Sequence, residues 1–217
     1  MPYTHRSAEN LVREGILREK IVVTGNPIRE VLDFYGERID DSDILSTLNV
    51  TPHAYFLATL HRAETVDDEG TLKRVWEALK LLGHKYEHPI VIPLHPRTLS
   101  KVVKLGLTDP SIMVIKPMGF FDFVKLEASS RCVLTDSGTV QEECSILNIP
   151  SVTVRNVTER PETIEAGSNI LVGAESSLIL RGVSLVLDNS VAWIPPHEYM
   201  GLSVSRTVAK VLLSALS

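Results

Sequence analysis

No stretch of this chain approaches the roughly 20 consecutive apolar residues of a membrane-spanning helix, so a helical membrane protein is excluded. The first ten residues, MPYTHRSAEN, lack the apolar core of a signal peptide. Positive charge is scarce. The 22 Lys and Arg are outnumbered by 27 Asp and Glu, for a net charge of −5, which argues against nucleic acid or a membrane surface as a partner. Cys132 and Cys144 are the only cysteines and both sit in apolar surroundings. They are too few for a disulfide scaffold and read as buried free thiols of a cytoplasmic protein. Their spacing fits no metal motif and no HExxH occurs, so neither a metal nor a cofactor is expected. GxxxxGK[ST] and GxGxxG are also missing, which excludes a Walker loop and the dinucleotide fingerprint.

What is present is ordinary globular composition, 44% hydrophobic and 23% charged over 217 residues. That length suits one α/β domain. Short apolar runs recur at 21–23, 55–58, 90–92, 112–115, 132–134 and 152–154, with 170–172 as a possible seventh. They are continuous rather than alternating, the pattern of strands covered on both faces. Between them lie helix-period stretches. In 71–83, Leu72, Val75, Trp76, Leu79 and Leu82 fall at three- and four-residue steps, and 120–129, 139–148, 176–188 and 202–216 supply further helices. Strand–helix alternation predicts an α/β fold, a doubly wound parallel sheet in a single domain over 1–217 with a helical C-terminal end from about 198.

In such a sheet ligands bind beyond the carboxyl ends of the strands. The segments that follow the runs are polar, basic or Gly-containing: TGNP (24–27), TLHRAE (59–64), PLHPR (93–97), KPMG (116–119), TDSGT (135–139) and RNVTERPE (155–162). Ser137-Gly138-Thr139 opens a helix whose first amides lack intrahelical partners and carry the positive end of the dipole. It reads either as a phosphate site or as a plain cap by Asp136 or Ser137. Glu142 and Glu143 follow in the same helix. One must face inward, either to accept from ribose hydroxyls or to stabilise the dipole. His61 and His95 each end a strand beside an Arg, Arg62 and Arg97, which fits anion binding or acid–base work as well as a packed structural role. Arg160, in a charged loop, either pairs with a phosphate, holds a neighbouring acid or lies on a solvated turn.

Taken together, VTGNP (23–27), LHRAE (60–64), PLHP (93–96), DSGTVQEE (136–143) and TERPE (158–162) resemble, in order and over essentially the whole chain, the C-terminal half of the non-hydrolysing UDP-N-acetylglucosamine 2-epimerases. The resemblance implies a Rossmann-like domain, one half of a GT-B-type pair, that holds UDP or a UDP-2-acetamido sugar. It implies interconversion at C2 by elimination and re-addition of UDP, without a cofactor, in the supply of cell-surface polysaccharides. By motif, Ser137, Gly138 and Thr139 match the diphosphate-binding turn, although Gly is common where Thr139 stands. Glu143 matches the ribose-binding acid, Arg160 a substrate-contacting Arg, and His61 the active-site His of HRxE. Phe123 matches an aromatic beside uracil, and His95 is grouped with these substrate-binding residues. Met118 stands where Gln is often found, so only its backbone is expected to reach the base. The family's N-terminal domain, with the acids thought to move the C2 proton, has no counterpart in this sequence. A homodimer or a separate N-terminal-domain partner is therefore expected, packed on the apolar stripe Val204, Val208, Val211, Leu212 and Leu216; the alternative is that this helix folds back onto its own sheet. The alternatives are a UDP-binding fragment without turnover and a GT-B glycosyltransferase donor domain.

Overall fold

The computed structural model describes residues 1–188 and 192–214. The chain divides into two compact units. One joins Met1–Glu37 to Pro195–Ser217, and the other is Arg38–Ile194.

The larger unit is built on six parallel strands: β1 (Phe56–Thr59), β2 (Ile90–Pro93), β3 (Ile112–Ile115), β4 (Cys132–Thr135), β5 (Ser151–Thr153) and β6 (Asn169–Leu171). Their spatial order is β3-β2-β1-β4-β5-β6. The doubly wound, Rossmann-like expectation holds, and the seventh run is a strand. Side chains alternate across the sheet because successive Cβ atoms point to opposite faces. Phe56 and Ala58 of β1 pack with Leu72, Leu79 and Leu82 of the helix Glu69–Tyr86 and with Ile179 and Val183 of the helix Ser176–Asp188. Leu57, Val91 and Val133 join Leu126, Val140 and Cys144 on the other face. Phe56, Leu57, Ile90 and Ile92 are fully buried, each worth about 1.5–3 kcal/mol relative to exposure. That two-sided burial is why the runs read as continuous. Cys132 and Cys144 are free and buried.

The first run, 21–23, is not a strand. It lies in the smaller unit, and among the described residues no ladder forms beside it. Its neighbours make isolated backbone bonds, from Thr24 N–H to the Pro2 carbonyl and from Asn26 N–H to that of Glu198. Gly25 turns the chain there at φ +87, and a Cβ would come within 3.2 Å of the Glu198 carbonyl oxygen. Pro27 then removes a donor. β-branched composition alone did not make a strand without a neighbour to pair with.

The C-terminal helix, Val204–Ser214, begins inside the same unit. The Glu30 carboxylate accepts from Ser205 N–H at 2.9 Å and from Ser205 Oγ at 2.6 Å, and Val204 is buried. Further along the stripe Val208 and Val211 are half-buried, while Leu212 is exposed. Leu216 lies outside the described residues.

Candidate functional site

The strand order reverses between β1 and β4, the two central strands. That is the point where an open parallel sheet leaves a crevice at its carboxyl edge. The two strand ends are tied there. Thr59 Oγ1 and Thr135 Oγ1 lie 2.6 Å apart, and Asp136 N–H donates to the Thr59 carbonyl at 3.2 Å.

Asp136, with no exposed surface, turns back over the end of β1. Its Oδ2 accepts from the backbone N–H of His61 and of Arg62, each at 3.0 Å, and its Oδ1 lies 2.8 Å from His61 Nδ1. Burial pushes the Asp136 carboxyl up, but the bonds from the His61 ring and from the Arg62 and His61 amides outweigh it and leave the group below the ordinary Asp range. The hydrogen bond to Asp136 raises His61 above the usual histidine value, against burial and the charges of Arg62 and Arg155.

With Asp136 facing His61, the helix Gly138–Leu147 starts without a side-chain cap. Thr135 Oγ1 accepts from Ser137 N–H at 2.9 Å, but the capping reading for Asp136 or Ser137 does not hold. The amides of the first turn are thus left to solvent or a ligand. Above them opens a cavity of about 590 Å³. His61, His95, Met118, Phe123 and Ser137 all line it, together with Val140. Five of the residues singled out from sequence therefore converge from β1, β2, β3 and β4. No carboxylate is among the described residues of the lining. His95 also caps the helix Pro96–Lys104, accepting from Arg97 N–H at 3.3 Å. Arg97 reaches Asp67 at 2.9 Å.

The remaining candidates stand around this cavity rather than on its wall. Gly138 and Thr139 form the first turn, with Thr139 exposed. Both adjacent acids are buried, Glu142 at 2% and Glu143 at 5% exposure, where the sequence required only one to face inward. They are accommodated differently. Arg160 pairs with Glu142 through Nε, so of its sequence readings the structure shows the acid-holding one. Arg160 also crosses the start of the helix, its guanidinium carbon 3.8 Å from where a Gly138 Cβ would lie. Among the described residues no such cation pairs with Glu143. Burial, with the charge of Glu142, pushes it up to about 7.

The loop that carries Arg160 is pinned. Thr158 Oγ1 donates to Gln141 Oε1 at 2.7 Å and accepts from Arg160 N–H at 3.0 Å. Buried Arg155 bridges Glu159, at 2.6 Å, and Glu64, at 3.1 Å. Sequence reasoning missed Arg155, and it read Asp136 only as a cap. The signal for Asp136 was present, an acid at the end of a central strand opposite a strand-end His, but the pairing needs the strand order. His84 and His88, four residues apart, turn to different partners, Asp109 and Arg131. Among the described residues no cluster of His, Cys, Asp or Glu is suited to a metal ion, and no helix is long and apolar enough to cross a membrane.

A family model described as UDP-N-acetylglucosamine 2-epimerase matches residues 1–213. The UDP-N-acetylglucosamine 2-epimerase of Methanocaldococcus jannaschii is 36% identical over 212 residues, covering 89% of this chain and 55% of the relative. The UDP-2,3-diacetamido-2,3-dideoxy-D-glucuronate 2-epimerase of Pseudomonas aeruginosa is 36% identical over 190 residues, with 87% and 52% covered. Among solved structures, the Methanocaldococcus jannaschii UDP-GlcNAc 2-epimerase in complex with UDP-GlcNAc and UDP superposes with a TM-score of 0.87 at 34% identity, over 95% of this chain and 58% of that one. The Rickettsia bellii UDP-N-acetylglucosamine 2-epimerase gives 0.87 at 33% identity, over 98% and 58%. The chain spans about half the length of the curated relatives it matches. With a family model matched over nearly all of its residues and the same fold in solved members, this chain belongs to the UDP-N-acetylglucosamine 2-epimerase family.

Proposed function

We propose that this chain is the nucleotide-binding half of an enzyme that interconverts UDP-2-acetamido sugars at C2, and that it binds UDP in the cavity at the β1–β4 switch point. One observation carries the reading: the uncapped start of the helix Gly138–Leu147 opens on the cavity that His61, His95, Met118, Phe123 and Ser137 line. A helix N-terminus favours a diphosphate through its amides and dipole. Phe123 supplies apolar surface for the base, and the backbone of Met118 reaches its edge. Glu143 accepts from ribose hydroxyls, and Arg160 turns from Glu142 toward the substrate. Elimination of UDP from C1 places negative charge on the departing diphosphate, which helix amides, Arg and His stabilise without a metal. The half fits a GT-B-type pair that works as a homodimer or with a separate N-terminal domain, in the cytoplasm, supplying polysaccharide precursors. The solved relative described as bound to UDP-GlcNAc and UDP supports the ligand class.

Calorimetry with UDP tests this. Heat of binding is expected from the wild type. In Ser137→Asp, where a fixed charge faces the diphosphate, affinity is expected to fall at least about tenfold, or 1.4 kcal/mol. Equal binding by a folded Ser137→Asp sinks the site.

A further inference from the structure

The two amides that Asp136 holds, those of His61 and Arg62, need only an acceptor. A neutral amide oxygen would serve, yet the chain keeps a carboxylate there with no exposed surface. Burying an unpaired charge is costly, so a charge at this depth needs a partner beyond two backbone donors. Its remaining contact is His61 Nδ1 at 2.8 Å. An ionised carboxylate only accepts, so Nδ1 must be the donor. The other end of the ring is open, since the His61 side chain is 61% exposed and lines the cavity beside Ser137.

We propose that Asp136 is a positioning residue that commits the Nδ1–H of His61 inward, so that the ring presents only Nε2 to the cavity, as a hydrogen-bond donor to a phosphate oxygen of a nucleoside diphosphate. The diphosphate part rests on the function proposed above. The assignment of the ring does not. A neutral ring with Nδ1–H has an acceptor at Nε2 and meets a phosphate poorly; a protonated ring donates from both nitrogens. Asp136 favours the protonated form, which is the one the phosphate needs. The charged and titratable groups around the ring are Asp136 from the end of β4, Arg62 from its own loop and Arg155 from the end of β5, with His95 and Arg97 across the same cavity. Only Asp136 among them favours a protonated ring. The geometry also divides the labour: the buried acid sets the orientation and proton content of the ring, and the helix start beside it offers the amides.

Long-range ¹H–¹⁵N NMR of the ¹⁵N-histidine-labelled chain tests this, with His61 assigned by loss of its signals in His61→Gln. The wild type is expected to titrate above the ordinary value of about 6.5 and to hold its neutral ring as the Nδ1–H tautomer. In Asp136→Asn the amide oxygen still serves the two backbone donors, while its NH₂ group faces Nδ1. The neutral ring is then expected to switch to the Nε2–H tautomer and the midpoint to fall. A purely structural Asp136 moves neither quantity. A wild-type neutral ring carrying its proton on Nε2 overturns the proposal without recourse to the variant, and so does an Asp136→Asn with unchanged tautomer and midpoint. Added UDP is expected to shift the Nε2 resonance more than Nδ1. UDP binding that leaves Nε2 unmoved removes the phosphate contact. Absence of any UDP heat overturns the nucleotide reading and that contact with it, while the tautomer result decides the role of Asp136 separately.

Discussion

The thiol of Cys144 donates to Glu127 Oε1 at 3.2 Å, which fixes a carboxyl with no exposed surface beside the helix that carries Glu143. Burial and the neighbouring Glu143 push Glu127 well above the ordinary range, and Glu143 itself is raised to about 7. The acid proposed to hold ribose thus sits in an environment that disfavours its charge. Such groups concentrate at functional sites, where stability is given up for chemistry.

This has a pH signature. A group whose folded pKa is raised contributes its stability below the unfolded value, and loses that contribution as pH rises through the folded one. For Glu143 the window runs from 4.5 to about 7. Glu143→Gln is expected to leave thermal stability unchanged near pH 4.5 and to raise it at pH 8, by up to about 3 kcal/mol, while weakening UDP binding. Melting curves of both proteins across this range check it. A stability difference independent of pH contradicts the assignment.

The C2 proton needs a positioned base, and the cavity wall offers no carboxylate among its described residues. The 217-residue chain by itself is expected not to exchange that proton, since loss of a general base or acid costs about 10²–10⁴-fold each. NMR of UDP-N-acetylglucosamine in deuterated water reads the exchange directly. Clear exchange by the pure chain, lost in His61→Ala, contradicts the expectation.

Along the C-terminal helix, burial fades from Val204 to the exposed Leu212 and Leu213. Self-association through this end is expected, because apolar area removed from water contributes about 25 cal/mol per Å² before association entropy is subtracted. Light scattering of the wild type against the Val208→Glu/Leu212→Glu double variant decides it. A wild type that stays monomeric at high concentration, with the size of the variant, removes the interface.

Gly182 is a packing requirement. A Cβ there would meet Val172 Cγ1 at 2.6 Å and Val152 Cγ1 at 3.5 Å, where the helix Ser176–Asp188 lies on β5. Gly182→Ala gains about 1 kcal/mol of helix propensity but overpacks the core, at a cost of about 1–3 kcal/mol. A lower melting temperature is expected, and a higher one would show that the helix moves aside freely.

Local chemistry was enough to place the strands of the sheet and the helices Glu69–Tyr86, Phe120–Ala128, Gly138–Leu147, Ser176–Asp188 and Val204–Ser214, but not the helices His5–Arg13 or Pro96–Lys104. Two-sided burial writes continuous apolar runs, and Leu72, Val75, Trp76, Leu79 and Leu82 announce the helix Glu69–Tyr86 by spacing alone. The strand-end positions of His61, His95 and Ser137, and the start of a helix at Gly138, were likewise determined by the sequence itself, because periodicity breaks where strands and helices meet. Pairing across the sheet was decided only by the tertiary structure. Ile21-Val22-Val23 has strand composition and no neighbour, so it forms no strand. Asp136 and His61 are 75 residues apart and meet because β4 lies against β1. Glu142 and Glu143 are adjacent and chemically identical, yet Arg160 arrives at one and the buried Glu127 at the other. A side chain's partner depends on which strand ends the fold brings side by side, and the charge state of each acid follows from that partner and from the water the fold removes.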